Sequence, residues 1–332
     1  MTEAILEIAL ATPLRRLFDY LPPAGVQVAT LRPGIRMRVP FGKRTVTGVL
    51  LGIKSASELA LEKLKRAEDA LDSAPLLSPE MLELCRWSSN YYLHPLGDAL
   101  FHALPPPLRK GQPNSMCTVS GWRLNSRGEG LRSDSFARAP RQQQALAYLL
   151  QHQQVLPGDI ELQGLSRTAL QALAAKGVVE RAEIMPQRPP LEITDGPQLN
   201  LEQHAAVTAI CRGLGQFSPY LLEGITGSGK TEVYLHAIAA ALHRGEQALV
   251  LVPEIGLTPQ IQARFEARFP GQVVTLHSGL SDGDRLRGWQ AARLGLSRVV
   301  IGTRSAVLTP FESLGLIVVD EEHDTSYKQQ DG

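Results

Sequence analysis

Gly224, Ile225, Thr226, Gly227, Ser228, Gly229, Lys230 and Thr231 form a run in which two glycines five positions apart are followed directly by a lysine and a hydroxyl residue. Those residue types at that spacing suit one kind of chemistry, the cradling of a nucleotide's phosphates. Glycines let consecutive backbone N–H groups turn into one concavity, and a helix beginning at Lys230 adds its positive end. Lys230 supplies a point charge for the β- and γ-phosphates, and the Thr231 hydroxyl is a ligand for Mg²⁺. The flanks agree. Tyr220 to Leu222 reads as a short apolar strand, and Val233, Tyr234, Ala237, Ile238 and Ala241 recur at helical spacing over 230–244. An ordinary glycine-rich αβ loop has no reason to carry lysine then threonine after its last glycine.

A second chemical cluster follows Leu316-Ile317-Val318-Val319, an apolar run read as a buried strand that ends in Asp320-Glu321-Glu322-His323-Asp324. Carboxylates at the carboxyl end of a strand sit where parallel sheets bind ligands. Asp320 is placed to hold Mg²⁺ together with Thr231, and Glu321 to polarise an attacking water. Lys230, Asp320 and Glu321 are therefore the candidate catalytic residues.

These residues need a scaffold, and 199–332 supplies its pattern. Apolar runs at 248–253, 273–276, 298–302 and 316–320 alternate with helical stretches at 230–244, 257–268 and 282–294. Strands without polar alternation, separated by helices, imply a parallel sheet covered on both faces. Ahead of this lobe, Ile5 to Leu10, Arg36 to Pro40 and Thr45 to Ile53 read as strands broken by Pro22-Pro23, Pro33-Gly34 and Phe41-Gly42, which predicts a small barrel or sandwich. Residues 1–54 carry eight basic side chains against three acidic ones, although the whole chain is only +1. That surplus suits a phosphate backbone, and it suits a solvated strand face equally. A helix from Ser78 to Leu93 follows, and Leu104-Pro105-Pro106-Pro107 marks the first boundary. Helical spacing at Gln142 to Gln151 and Ser166 to Lys176, a glycine stop at Gly177 and a strand at 178–184 read as a winged helix or as a generic helical connector. Prolines at 186, 189, 190 and 197 make the next linker. The expected domains are 1–107, 111–184, a linker at 185–198, and 199–332.

Composition excludes several classes. With 332 residues and 43% hydrophobic content the chain supports two or three cored domains rather than disorder. Cys85, Cys117 and Cys211 form no C-x-x-C pair, which argues against a disulfide framework and against a zinc site. No stretch approaches the length of a membrane span and no basic, apolar leader opens the chain, so a cytoplasmic location with no membrane partner is expected.

The phosphate loop together with Asp-Glu-Glu-His resembles superfamily 2 helicases. Val252-Pro253-Glu254-Ile255-Gly256-Leu257-Thr258-Pro259-Gln260 resembles their motif Ia, His277-Ser278-Gly279-Leu280 another short element, and Ile301-Gly302-Thr303-Arg304-Ser305-Ala306 motif Ib. Leu201-Glu202-Gln203 resembles the segment whose glutamine reads adenine, and Ser326-Tyr327-Lys328-Gln329-Gln330 the start of the loop coupling DNA to hydrolysis. Together with Phe18-Asp19-Tyr20 and Val39-Pro40-Phe41-Gly42-Lys43, these spellings resemble the PriA-type replication-restart helicases over most of the chain. The resemblance implies a RecA-like α/β motor lobe with a parallel sheet, preceded by a small, mainly β DNA-binding domain for a free 3′ end and by a winged-helix domain. It implies ATP and Mg²⁺ as cofactors, with Gln203 and residues 224–231 on ATP and Thr231 and Asp320 on the metal.

For DNA it implies Phe18 stacking on a base, Asp19 accepting from a 3′ hydroxyl, close approach at Gly42, a contact from Lys65, and backbone contacts from Thr303 and Arg304. The partners it implies are forked or branched DNA with a 3′ end, single-stranded DNA, primosome proteins and single-strand-binding proteins. In that family a second motor lobe and a cysteine-rich zinc insertion follow; their residues are not among these 332, and little turnover is expected of the 332 residues alone. Two other readings stay open: a double-stranded DNA translocase of the restriction or remodelling kind, and a DNA-structure-binding chain without motor activity.

Overall fold

A computed structural model of the chain describes residues 4–114, 119–132, 134–156, 159–160, 163–184, 188–225 and 227–328. Two compact units divide it: residues 1–114 with 189–332, and residues 115–188.

The first unit opens with a five-stranded antiparallel sheet rather than a sandwich, and a bridge between Leu21 and Arg66 joins the segments at its two edges, as the barrel reading expects. Its strands are β1 (Ile5–Leu10), β2 (Phe18–Tyr20), β3 (Arg36–Phe41), β4 (Arg44–Lys54) and β5 (Asp69–Ala70), in spatial order β2-β1-β4-β3-β5. One face buries Leu6, Ile8, Met37, Val39 and Leu50. The other face is covered by α1 (Pro79–Tyr91), α2 (Leu96–His102) and the short α3 (Pro106–Arg109), so a second sheet is not needed to bury it. Ser78 caps α1 by accepting from the Met81 N–H at 3.3 Å, with proline at the first helical position.

The triple proline at the expected end of the domain packs into its core. Pro105 and Pro107 are buried beside Leu104 and Leu108, which are 1% and 0% exposed. Fully buried Arg36 explains the arrangement. Its guanidinium meets Asp72 at 2.7 Å and 3.0 Å and donates to the carbonyls of Leu108 and Gln112 at 2.7 Å and 2.8 Å. A buried cation must be met this completely, and the requirement ties 108–112 to the sheet.

The α/β part of this unit has four parallel strands, β9 (Gln247–Leu251), β10 (Val273–Leu276), β11 (Val299–Gly302) and β12 (Leu314–Val319), in order β10-β11-β9-β12. Its helices are α7 (Leu201–Gly213), α8 (Lys230–His243), α9 (Pro259–Arg268) and α10 (Asp282–Arg293), numbered after those of the other unit below. Along β9, Ala248 and Val250 enter one core and Leu249 and Leu251 the other, which is why this strand shows no polar alternation. Residues 189–196, expected as a linker, lie against this lobe. Leu191 and Ile193 join its core, and the Thr194 N–H donates to the Arg268 carbonyl at 2.9 Å.

Two expectations about strands fail. Residues 220–222 form no strand: Tyr220 and Leu221 are 50% and 73% exposed. Three apolar residues starting after Pro219 offer few ladder bonds against the entropy of ordering them. As a result β12 is an edge strand with Ile317 and Val319 half-exposed, rather than the buried strand its composition suggests. Helix α10 packs sideways into the amino-terminal core, where Trp289 is 4% exposed and its indole N–H donates to the Ala103 carbonyl at 2.9 Å. The amino-terminal domain and the α/β lobe therefore share one apolar core.

The second unit holds a three-stranded sheet, β7-β6-β8, of β6 (Val119–Leu124), β7 (Gln154–Val155) and β8 (Val179–Ile184), with α4 (Ser126–Glu129), α5 (Pro140–His152) and α6 (Arg167–Ala175). Leu146, Leu149, Leu170 and Leu173 form its core with Val155 and Val179. Helices α5 and α6 packed against a small sheet, with β6 before them pairing β8 after them, fit the winged-helix reading over the connector. Cys117 lies outside the described residues, as do 185–187 of the expected linker.

Candidate nucleotide and DNA sites

Helix α8 begins at the phosphate loop because Gly227 and Gly229 adopt φ of +83° and +85°, which L side chains rarely take. Gly229 is also closely approached: a Cβ there would lie 2.3 Å from the Gln203 side-chain nitrogen. Lys230 turns back so that its ammonium donates to the Gly224 carbonyl at 2.5 Å. Ile225 is 83% exposed, and Thr226 lies outside the described residues. Gln203 belongs to a capping box with Asn200 at the start of α7, and its amide donates to the Ser228 carbonyl at 3.2 Å. The glutamine expected to read adenine is thus beside the loop, with its polar atoms engaged locally.

Asp320 follows the last residue of β12, and its N–H donates to the Leu251 carbonyl on β9 at 2.9 Å. The Tyr234 hydroxyl lies 3.1 Å from the Thr231 hydroxyl oxygen and 3.4 Å from an Asp320 carboxylate oxygen, so one phenol spans the two expected metal ligands. Partial burial pushes the Asp320 carboxyl above its ordinary range, and the neighbouring Glu321 carboxylate adds to this; Tyr234, a backbone N–H and Lys230 oppose it. Burial likewise pushes the Tyr234 phenol up to about 12, so it stays a donor. Glu321 sits in the left-handed region at φ +48°, and His323 lies 3.5 Å from its carboxylate.

Adjacent carboxylates held near a hydroxyl and an ammonium at a helix start are a donor set suited to Mg²⁺ and phosphate. Tyr234 is the residue sequence reasoning did not assign to the site. Its position one turn after Thr231 on α8 was the available signal.

Phe18 and Asp19 lie on β2, Gly42 in the turn between β3 and β4, and Lys65 in the segment whose carbonyl accepts from the Leu21 N–H just after β2. Phe18 pairs with Ile8 across β1 and β2, and Asp19 with Glu7. The Phe18 ring meets Phe41 edge-on at 5.3 Å and carries the Arg16 guanidinium over it at 5.1 Å. Gly42 turns at φ +62° with no atom within 4 Å of where a Cβ would stand, and its carbonyl accepts from the Lys65 ammonium at 3.4 Å. The Asp19 oxygens are met separately, one by the Lys54 ammonium at 2.8 Å and the other by the Ser57 hydroxyl at 2.5 Å. A carboxylate has about four lone-pair positions, so both oxygens retain acceptor capacity. Lys54 and Ser57 were not predicted as site residues, since they lie 35 and 38 positions away and carry no motif.

In motif Ib the two predicted DNA contacts separate. Thr303 is 4% exposed and serves the turn, accepting at its carbonyl from the Ala306 N–H at 2.8 Å, whereas Arg304 faces solvent. Ile255 of motif Ia is 85% exposed, and Thr258 caps α9 through the Ile261 N–H. Gln329 and Gln330 lie outside the described residues.

Comparison with known proteins matches this layout domain by domain. Residues 7–105 match the PriA 3′ DNA-binding domain, 119–181 the winged helix of primosomal protein N′-like proteins, and 200–332 the DEAD/DEAH box helicase domain. The replication restart protein PriA of Haemophilus influenzae is 41% identical over 98% of this chain. Over nearly its whole length the chain is similar to the amino-terminal portion of PriA proteins. PriA proteins of Bacillus subtilis and of Synechocystis are 31% and 33% identical over 99% and 94% of it. Against all three PriA relatives the chain spans under half of their length: 45%, 49% and 46%. Among the described residues no group of three metal-ligating side chains is present, and no helix is long and apolar enough to cross a membrane.

Proposed function

We propose that this chain provides the DNA-binding part and first ATPase lobe of an ATP-dependent 3′ to 5′ DNA helicase that recognises branched or stalled forks and restarts replication through primosome assembly. The observation that carries this reading is that one compact unit contains both a phosphate-loop cluster, Lys230, Thr231 and Asp320, and an amino-terminal sheet carrying Phe18, Asp19 and Gly42 with Lys65 bonded to the Gly42 carbonyl. A translocase of the restriction or remodelling kind would have use for the first and none for the second.

In this reading Lys230 exchanges the Gly224 carbonyl for the β- and γ-phosphate oxygens of ATP. The N–H groups at the start of α8 bind alongside it. Thr231 and Asp320 hold Mg²⁺, which when bound neutralises phosphate charge. Glu321 orients the attacking water. Asp19 accepts from a terminal 3′ hydroxyl and repels a phosphate in that position, while Phe18 offers a ring for a base once Arg16 yields it. Residues 1–107 serve the DNA end, the winged helix a further DNA contact, and Arg304 the single-stranded backbone. Single-strand-binding and primosome proteins are its partners in the cytoplasm, and the 332 residues alone bind nucleotide and forks with little turnover.

The test is a fluorescent ATP titration with Mg²⁺. Lys230→Ala is expected to weaken binding by at least tenfold, since a charge-assisted contact contributes about 1.5–3 kcal/mol. Unchanged affinity would favour a DNA-structure-binding chain with no working motor.

A further inference from the structure

A cavity of about 70 Å³ lies where the amino-terminal helices meet the α/β lobe inside the first unit, several times the room one water needs. Buried Trp289 forms part of its floor, half-buried Arg109 and Arg285 its wall, and exposed His102 and Ser305 its mouth. The two guanidiniums are near enough that Arg285 acts on Arg109 as a like charge, in addition to the cost of burial. Each is fixed by carbonyls rather than by an acid: Arg109 donates to Leu104 at 2.6 Å and to His102 at 3.4 Å, and Arg285 to His277 and Ser278 at 3.2 Å and 3.0 Å.

Among the described residues no carboxylate lines the cavity. The acidic group nearest in effect is Asp282, which is exposed and paired with Lys110 at 3.5 Å. His277, also in the lining, accepts the Gly279 N–H on Nδ1 at 3.1 Å, so its Nε2 carries a proton to donate. Two half-buried cations with hydroxyl and imidazole donors around an empty volume are complementary to a tetrahedral anion.

We propose that this cavity is a phosphate-binding pocket that takes one phosphodiester group of single-stranded DNA, so that Arg109 of the amino-terminal domain belongs to the DNA track of the motor lobe. The choice of DNA rests on the reading of 302–305 as a backbone contact, because Ser305 at the mouth directly follows Arg304. Arg285 and Arg109 come from α10 and α3, so a phosphate held here also bridges the two parts of the unit.

The test is fluorescence anisotropy of a labelled oligothymidine with the 332-residue chain across a salt series, alongside thermal melting with inorganic phosphate. Arg109→Gln keeps a donor for the Leu104 carbonyl, and His102→Glu puts a carboxylate at an exposed position on the rim of the cavity. Both are expected to weaken oligonucleotide binding several-fold, and Arg109→Gln to reduce the slope of log K against log salt by about 0.7, one single-strand phosphate contact. Measured in a Lys230→Ala background throughout, so that the phosphate loop does not contribute, phosphate is expected to raise the melting temperature of the chain with an intact pocket and of neither pocket variant.

If Arg304→Ala weakens binding while both pocket variants bind as the unsubstituted chain does, the pocket is overturned and the track reading stands. If none of the three weakens it, both fall. Phosphate protection lost in Arg109→Gln with unchanged oligonucleotide isotherms would mean a free-anion site and overturn the assignment to DNA. Should Arg109→Gln fail to fold, His102→Glu decides by the same readings.

Discussion

Around Asp19 both carboxylate oxygens are already met, by Lys54 and Ser57, and the aromatic and glycine neighbours are held by a paired sheet. Around Lys230 the segment leading into the loop is unpaired, Leu221 and Ile225 face solvent, and β12 is an open edge. In the proposed function the first site is therefore held in place without a ligand. The second has its polar atoms in local bonds, Lys230 on the Gly224 carbonyl and Gln203 on the Ser228 carbonyl, which the proposed function has a nucleotide replace. A site that must discriminate a hydroxyl from a phosphate gains from rigidity, whereas one that opens and closes in each cycle gains from loosely held walls.

The largest effect that sharpens this contrast is expected from Asp72→Ala. It strands the fully buried Arg36 guanidinium and should cost the amino-terminal sheet about 3–5 kcal/mol, read by denaturant unfolding. Fork binding should fail at temperatures where the α/β lobe still binds nucleotide. A uniform loss of both would mean that the shared core with Trp289 makes the two parts unfold together.

Lys54→Met is expected to act mainly on function. The Lys54 ammonium is over a third exposed, so its pair with Asp19 contributes only about 0.2–1 kcal/mol to stability. Its removal frees the Asp19 carboxylate to move, and preference for a 3′ hydroxyl should fall by more than the melting temperature suggests. The smallest effect is expected at the loop entry. Leu221→Ser should change the stability of the nucleotide-free chain by no more than about 0.5 kcal/mol, as for a surface substitution. A cost near 2 kcal/mol would mean that 220–222 is packed in solution and that the contrast between the sites is wrong.

The nucleotide site was legible because its chemistry is contiguous: eight residues spell the loop, and Asp320 follows an apolar run. What the sequence did not reveal was packing. The same three apolar residues at 220–222 read as a strand, yet pairing depends on neighbours that local composition cannot specify. Tyr234 was legible as a helix residue and not as the phenol between Thr231 and Asp320, because that contact crosses 86 positions.

The DNA-end site shows the reverse. Phe18, Asp19, Gly42 and Lys65 were named by resemblance alone, and nothing in their spacing revealed that a loop after β4 would bring Ser57 to Asp19. The triple proline at 105–107 was legible as a break in the chain and not as a buried turn, because proline in a linker and proline in a buried turn have the same local signature.

The measurement that tests the central claim most directly is the affinity of the chain for forked DNA ending in a 3′ hydroxyl and in a 3′ phosphate, made with the unsubstituted chain and with Asp19→Asn. The hydroxyl fork should bind more tightly, by about tenfold for one matched hydrogen bond and one avoided charge repulsion, and Asp19→Asn should reduce that preference chiefly by improving the phosphate fork. Equal binding of both forks by the unsubstituted chain would contradict the account.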